Sequence, residues 1–164
     1  MPIIADDLWY FAYGSNLWID QKERRTSRVR QGEDAPRIAY LGEYRFAFNK
    51  RGKNGQVFAN IIPQPGGEVV GVAYRCNRAT IEEMDAWEPG YEPQMVRVTC
   101  VGGEQVEALT YVAAPSHLTA EGRPTPEYLE RIVTGARQHG LPKRYIAEIE
   151  RLAGLHGSSG EAAG

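Results

Sequence analysis

Residues 9–18, WYFAYGSNLW, join an aromatic run to a short polar turn. The apolar residues 8–13 are typical of a buried strand, which ends at Gly14. Because glycine has no Cβ, its backbone can approach a ligand closely and can adopt positive φ. Ser15 and Asn16 add side-chain donors, and successive N–H groups in such a turn can bind an anion. The stretch therefore predicts a ligand-binding turn, or a tight strand-to-helix turn capped by Ser15 or Asn16.

Alternating polar and apolar residues predict several strands after this segment. The aromatic residues of segment 37–50 fall on even positions and are expected to share one face: Tyr40, Tyr44, Phe46 and Phe48. Four more strands are predicted, over residues 57–62, 68–77, 94–101 and 105–114. A PQPGG turn separates the first two of these strands. The last two form an antiparallel pair across a GGE turn.

Helical patterns dominate the end of the chain. One helix is expected to begin at Thr125–Pro126 and to end at Gly140, and another follows from Pro142. Their apolar stripes are Leu129, Ile132, Val133 and Ala136 in the first, and Tyr145, Ile149 and Leu152 in the second. Since strands come first and helices last, the order predicts an α+β fold with a single domain over residues 1–153. Residues 154–164 are small and polar and are expected to form a disordered tail.

Glu88 is the most informative carboxylate in the sequence. A helix is predicted to begin at a capping box of Thr80 and Glu83 and to end before Pro89–Gly90. Glu88 lies at its C-terminal end, on the stripe of Ile81 and Met84. Burial and the negative end of the helix dipole both raise the pKa of such a carboxyl, toward the range of a general base near neutral pH. The alternative is a frayed helix end with Glu88 in water.

Composition argues against several classes of function. The formal net charge of −2 and the pI of about 6.0 give no basic field for nucleic acid, and the local run Arg24–Arg30 is expected to be a solvated face. The chain shows neither a signal peptide nor an apolar run long enough to span a bilayer, which predicts a cytoplasmic protein without membrane or nucleic-acid partners. Cys76 and Cys100 are expected to be reduced, and the three histidines form no zinc-like pair, so no metal is predicted.

Three segments in this order resemble the γ-glutamylcyclotransferases. They are YFAYGSNL at residues 10–17, GVAYRCNRATIEEMDAWE at residues 71–88 and PTPEYLERIVTGARQHGLP at residues 124–142. The resemblance runs from about Trp9 to Leu152. It implies a small mixed β-barrel with helices packed around it. It also implies an enzyme that needs no cofactor and that cyclises a small-molecule γ-glutamyl compound to 5-oxoproline with release of the attached amine.

The resemblance also implies roles for individual residues. Glu88 matches the catalytic acid–base of the family, and Tyr128 matches a substrate-contacting tyrosine in the later helix. The segment that lines the γ-glutamyl pocket in the family corresponds to Tyr10, Phe11, Ala12, Tyr13, Gly14, Ser15 and Asn16.

The sequence departs from the family pattern next to Glu88. Relatives usually have glycine directly after the catalytic glutamate, where this chain has Pro89, and often a tyrosine seven residues beyond it, where this chain has Met95. Tyr91 is a candidate to fill that space. The departures leave open a cyclotransferase that removes a γ-glutamyl protecting group from a larger amine.

Three further possibilities come from the sequence. A non-catalytic module of the same fold could bind a small ligand. A cysteine hydrolase would use Cys76 or Cys100, although no histidine lies near either in the sequence. A homodimer is possible if aromatic surface is exposed.

Overall fold

A computed structural model describes residues 7–17, 36–77 and 89–155 of the 164-residue chain. The strands are β1 Asp7–Ala12, β2 Arg37–Arg51, β3 Val57–Asn77, β4 Tyr91–Cys100 and β5 Gln105–Ala113. Two α-helices follow, α1 Pro126–His139 and α2 Lys143–Leu155. The predicted α+β barrel with late helices is confirmed.

The five strands form a closed barrel in the order β1-β3-β2-β4-β5. β1 closes the barrel by pairing in parallel with β5, where Trp9 lies opposite Ala108 and Tyr10 opposite Leu109. The other pairings are antiparallel. The last two strands form the predicted hairpin across the GGE turn. β1 lies between β3 and β5, and the turn with Gly14 follows at its C-terminal end.

The four aromatic residues of β2 do not share one face, so that prediction is wrong. β2 has a register shift between Gly42 and Tyr44, with Glu43 at φ 68°. Such a bulge exchanges the two faces of a strand. Leu41 is buried before the shift, whereas Phe46 and Phe48 are buried after it.

The PQPGG segment does not separate two strands, as the sequence predicted. β3 runs from Val57 to Asn77 and stays paired with β2 on both sides of the segment. Residues 64–67 form a wide bulge opposite Glu43, because Gly42 pairs with Glu68 and Tyr44 with Pro63. The two strands predicted here are therefore one long, bent strand.

The two late helices carry the predicted caps and stripes. The Thr125 side chain accepts a hydrogen bond from the backbone N–H of Tyr128, and Gly140 ends α1 in the left-handed conformation. Ile132, Ala136 and Ile149 are buried in the core. α2 continues through Leu155, two residues into the predicted tail. The predicted helix at residues 80–88 and the arginine run at residues 24–30 lie outside the described residues.

Candidate active site

A cavity of about 290 Å³ opens where the end of β1, the start of β3 and α1 meet. Its wall is largely aromatic. The described wall residues are Tyr10, Tyr13, Gly14, Ser15, Asn16, Lys50, Phe58, Ala59, Pro89, Tyr91, Tyr111, Tyr128 and Arg131. An aromatic cavity with a few convergent polar groups is the usual form of a small-molecule site. Six of the eight pocket residues expected from the sequence lie in the wall of this cavity.

The turn after β1 is a single turn of 3₁₀-helix over Ser15–Leu17, closed by a 3.0 Å hydrogen bond from the Leu17 N–H to the Gly14 carbonyl. Gly14 does not have the positive φ that glycine would permit. Its surroundings are close-packed: a Cβ at this position would lie 3.3 Å from the Ala59 Cβ, which is a tight contact, and 3.6 Å from Tyr128 Oη, which is an ordinary van der Waals contact. Gly14 thus lets the turn lie against β3 and α1.

Phe11 and Ala12 were expected among the pocket residues, but the structure does not place either in the wall. Both are fully buried in the core. Their packing against Gly71 is close, since a Cβ there would lie 2.2 Å from the Ala12 carbonyl oxygen and 2.9 Å from the Phe11 ring. These two residues support the turn from beneath.

Hydrogen bonds fix the tyrosines on the turn side of the cavity. The Tyr13 hydroxyl donates to the Tyr111 carbonyl at 2.6 Å, and the Asn16 side-chain amide donates to the Tyr10 hydroxyl at 3.0 Å. The Tyr10 and Tyr111 rings pack with centroids 6.0 Å apart. Because aromatic side chains have few rotatable bonds and these are tethered as well, this wall is preorganised.

The backbone of one residue, Ala59, holds two further tyrosines of the wall. The Tyr91 hydroxyl donates to the Ala59 carbonyl at 2.7 Å, and the Ala59 N–H donates to the Tyr128 hydroxyl oxygen at 3.1 Å. The Phe58 ring packs edge-on against Tyr128, with centroids 4.9 Å apart. Ala59 on β3 therefore ties together tyrosines from β4 and α1 at the cavity.

A second layer supports the turn from behind. The Tyr74 hydroxyl lies 2.9 Å from His139 Nε2 and 3.4 Å from the Asn16 carbonyl oxygen. Burial lowers the pKa of His139, against a smaller opposing effect of a hydrogen bond with the Leu17 backbone. Burial raises the pKa of Tyr74. A neutral histidine and a neutral phenol thus connect the C-terminal end of α1 to the turn.

Two cationic wall residues were not predicted from the sequence. Lys50 is 6% exposed, with its Nζ 5.5 Å from the Phe58 ring centroid and 4.9 Å from that of Tyr91. Arg131 is exposed on α1. No motif distinguishes either residue from an ordinary surface cation. Their position in the wall depends on how distant parts of the chain meet.

Glu88, the predicted catalytic residue, lies outside the described residues. Pro89, which follows it in the chain, is part of the cavity wall. Tyr91, which the sequence suggested as the residue that fills the space of the missing family tyrosine, also lies in the wall. Met95 is 52% exposed and is not a wall residue.

The structure offers no support for the cysteine-hydrolase alternative. Cys76 and Cys100 are buried in β3 and β4, and neither is among the described wall residues. Burial raises the pKa of Cys100, although Arg37 opposes this effect. The raised pKa disfavours the reactive thiolate. Within residues 7–17, 36–77 and 89–155, no cluster of three or more His, Cys, Asp or Glu side chains could hold a metal ion. No described helix is long and apolar enough to cross a membrane.

Comparison with known sequences connects this cavity to one family. Residues 68–149 match the AIG2-like family. The chain is 30% identical to γ-glutamylcyclotransferase of Bos taurus, over 90% of this chain and 80% of the relative. It is 28% identical to the Homo sapiens protein of the same name, over 87% of this chain and 77% of the relative.

Solved structures share the architecture. A γ-glutamyl cyclotransferase structure superposes with a TM-score of 0.77 at 25% identity, covering 88% of this chain and 86% of that one. YkqA from Bacillus subtilis has a TM-score of 0.79 at 24% identity, covering 91% of this chain and 55% of that one. The second likeness concerns the fold alone.

Proposed function

The chain belongs to the γ-glutamylcyclotransferase family and is an enzyme of that kind, and we propose that it converts γ-glutamyl amino acids or γ-glutamyl amines to 5-oxoproline and the free amine in the cavity described above. The observation that carries this proposal is the meeting of the Gly14 turn with Tyr128. Gly14 and Tyr128 are 114 positions apart in sequence, yet a Cβ on Gly14 would be 3.6 Å from the phenol oxygen.

The substrate supplies its own nucleophile in the proposed reaction. The α-amine attacks the γ-carbonyl carbon, a five-membered lactam forms, and the bond from that carbon to the leaving amine breaks. Binding the γ-glutamyl chain in a folded conformation supplies much of the rate, since well-oriented intramolecular reactions reach effective molarities of about 10⁵ M or more. The tethered tyrosines of the wall suit that task because they define a rigid, narrow shape.

Glu88 acts as the general base and then as the general acid. Its carboxylate takes a proton from the substrate α-ammonium, so that the neutral amine can attack. The same proton then goes to the departing nitrogen, which leaves the carboxylate ready for another cycle. This role is supported by the sequence match and by Pro89 in the wall. Such proton transfer contributes roughly 10²–10⁴-fold to rate.

The turn and α1 complete the site. Backbone N–H groups of residues 13–16 hold the oxyanion that develops on the γ-carbonyl, or the substrate carboxylate. Tyr128 orients the γ-glutamyl group through its hydroxyl. The reaction as written uses no metal, nucleotide or covalent intermediate. We further propose that the enzyme works in the cytoplasm, as a monomer or a homodimer.

The test is 5-oxoproline release, followed by mass spectrometry. A panel of γ-glutamyl dipeptides, γ-glutamyl amines and glutathione is incubated with the wild type, with Glu88→Gln and with Glu92→Gln. Glu92 is an exposed residue of β4, so its variant carries the same chemical change outside the cavity wall.

Release by the wild type and Glu92→Gln, with a fall of about 10²-fold or more in Glu88→Gln, is the expected result. Equal activity in all three proteins would overturn the assignment of Glu88. A folded wild type that releases 5-oxoproline from no compound would favour a binding module. Release only from bulky γ-glutamyl amines would indicate removal of a protecting group.

A further inference from the structure

Phe58 connects the loop after β2 to Tyr128 in the cavity wall. Its ring meets the Tyr128 ring edge-on, with centroids 4.9 Å apart and ring planes 72° apart. Such T-shaped pairs are a favoured arrangement of aromatic side chains. Both residues line the cavity, and both are half-buried. A change in the position of Phe58 therefore reaches a wall residue of the site.

The backbone at Gly52 lies against the Phe58 ring. A Cβ at Gly52 would be 2.2 Å from Phe58 Cε2, 2.9 Å from Cδ2 and 3.2 Å from Cζ. The shortest of these separations is a clash, so any other residue at this position would force the ring to move. The Gly52 backbone is extended, with φ −115° and ψ −167°, a conformation open to every residue type. Glycine is therefore required at this position for its contact with Phe58.

Strand register and loop hydrogen bonds fix Gly52 in this place. It directly follows β2, whose last residue Arg51 pairs with Val57, the residue before Phe58. The Gly52 N–H donates to the Gln56 carbonyl at 2.8 Å. The loop backbone thus prevents the Phe58 ring from moving away from Tyr128 toward Gly52.

The hydrogen bond made by Tyr128 fixes its oxygen and not the plane of its ring. The oxygen accepts from the Ala59 N–H at 3.1 Å. Because this oxygen lies on the axis about which the ring rotates, rotation leaves its position unchanged, and that torsion is intrinsically broad in tyrosine. The hydroxyl proton lies near the ring plane, since the oxygen is conjugated with the ring. The ring plane therefore sets the directions in which Tyr128 can donate, and packing against Phe58 sets the ring plane.

Resting on the proposed function, we propose that Phe58 is a positioning residue that acts through Tyr128, and that Gly52 holds Phe58 in place. Tyr128 orients the γ-glutamyl group through its hydroxyl, so a fixed ring plane gives the donor one direction before substrate binds. Such preorganisation lowers the cost of ordering the site on binding. Gly52 is not a described wall residue, so a substitution there acts on the reaction through Phe58.

The test is a double-mutant cycle, measured as kcat/KM for 5-oxoproline release from a γ-glutamyl dipeptide. The variants are Phe58→Leu, which removes the ring, and Gly52→Ala, which displaces it. Each is made alone and together with Tyr128→Phe, which removes the hydroxyl and keeps the ring. Gly42→Ala is the control, because a Cβ at Gly42 in β2 would meet no atom within 4 Å and the residue has no positive φ.

We expect Phe58→Leu and Gly52→Ala each to lower kcat/KM by about 3- to 10-fold, since a small displacement in a site that works by positioning is costly. In the Tyr128→Phe background neither should lower it by more than about twofold, because the hydroxyl that they misdirect is already gone. Gly42→Ala should match the wild type.

Losses that multiply in the double variants would overturn the proposal, because Phe58 would then act on the substrate directly or on the fold as a whole. Wild-type kcat/KM in both single variants would also overturn it. If Phe58→Leu does not fold, Gly52→Ala and its double variant complete the cycle.

A second measurement separates this proposal from the proposed reaction. The flip rate of the Tyr128 ring is measured by NMR without substrate, in protein labelled on its tyrosine rings. The rate should rise in Phe58→Leu and in Gly52→Ala and stay unchanged in Gly42→Ala. If the wild type releases no 5-oxoproline, the proposed reaction fails, and the flip rate decides the positioning role: a faster flip supports it and an unchanged flip overturns it.

Discussion

Two glycine-containing irregularities interrupt the strands of this barrel, and they differ in what glycine does there. The turn after β1 is half-buried to buried, and Gly14 lies close to Ala59 and Tyr128 without a positive φ. The wide bulge of β3 is exposed, and Gly66 has φ 79° with no atom within 4 Å of a hypothetical Cβ. At Gly14, glycine allows close packing between chain segments, whereas at Gly66 it satisfies a backbone angle.

The contrast separates a feature of the site from a feature of the scaffold. The turn is bonded to Tyr10 in the cavity wall and to Tyr74 in the layer behind it. In the bulge, the Gly66 N–H donates to the carboxylate of Glu43 on the neighbouring strand at 3.2 Å. Glycine in a pattern is therefore an ambiguous signal, and the surrounding contacts decide its meaning.

The largest effect should come from Gly14→Ala. The added methyl would lie 3.3 Å from the Ala59 Cβ, so the turn or Ala59 must shift by a few tenths of an ångström. Small displacements in a site that works by positioning can cost about 10²-fold in kcat/KM. Steady-state kinetics on a γ-glutamyl dipeptide measures the loss, and undiminished turnover would mean that the turn does not touch the reaction.

Tyr128→Phe should have the next largest effect. The change removes the hydroxyl that accepts the Ala59 N–H and, in our proposal, orients the substrate. A loss of about tenfold in kcat/KM and of about 1 kcal/mol in the free energy of unfolding is expected. Tyr40→Phe is the control because Tyr40 is not a described wall residue. Comparable kinetics in the two variants would contradict the role of Tyr128.

Gly66→Ala should change stability and leave catalysis alone. A non-glycine residue at φ 79° costs about 1–2 kcal/mol, because its Cβ approaches the carbonyl oxygen. Urea denaturation measures the loss, and Gly66→Asn should lose less because asparagine tolerates this region. A fall in kcat/KM as large as that of Gly14→Ala would contradict the view that the turn belongs to the site and the bulge to the scaffold.

The smallest effect concerns the support behind the turn. Burial lowers the pKa of His139 in the folded protein below its ordinary value of about 6.5. The unfolded chain therefore binds more protons near that pH, so stability should rise with pH through this window and fall on acidification. His139→Gln should flatten this dependence in urea denaturation between about pH 5 and 8. An identical pH profile in the variant would show that other groups cause it.

Local sequence patterns predicted much of the fold. The caps Thr125 and Gly140, the stripe of α1 and the β4–β5 hairpin depend on residues close together in sequence, and all are as predicted. The two errors in the sheet share a cause. The bulges at Glu43 and at residues 64–67 face each other across β2 and β3, and their pairing is not visible in either segment alone.

The site divides in the same way. Segment 10–16 and Tyr128 could be chosen from the sequence because they lie within motifs, although Phe11 and Ala12 belong to the core beneath the cavity. Lys50 and Arg131 could not be chosen, since a lone cation carries no motif. Ala59 offers no side-chain functional group, and its contribution is made by its backbone N–H and carbonyl, which bond to Tyr128 and Tyr91.

The sequence by itself determined the positions of β1, the β4–β5 hairpin and the two late helices, because hydrophobic periodicity, caps and turn residues act over a few positions. It also marked the polar turn after β1 as a candidate binding element. Only the tertiary structure decided that Gly14 packs against Ala59, that Lys50 lies in the cavity wall, and that β3 is continuous. Each of these depends on strand register between distant segments, and a shift of one residue in register moves every following side chain to the other face.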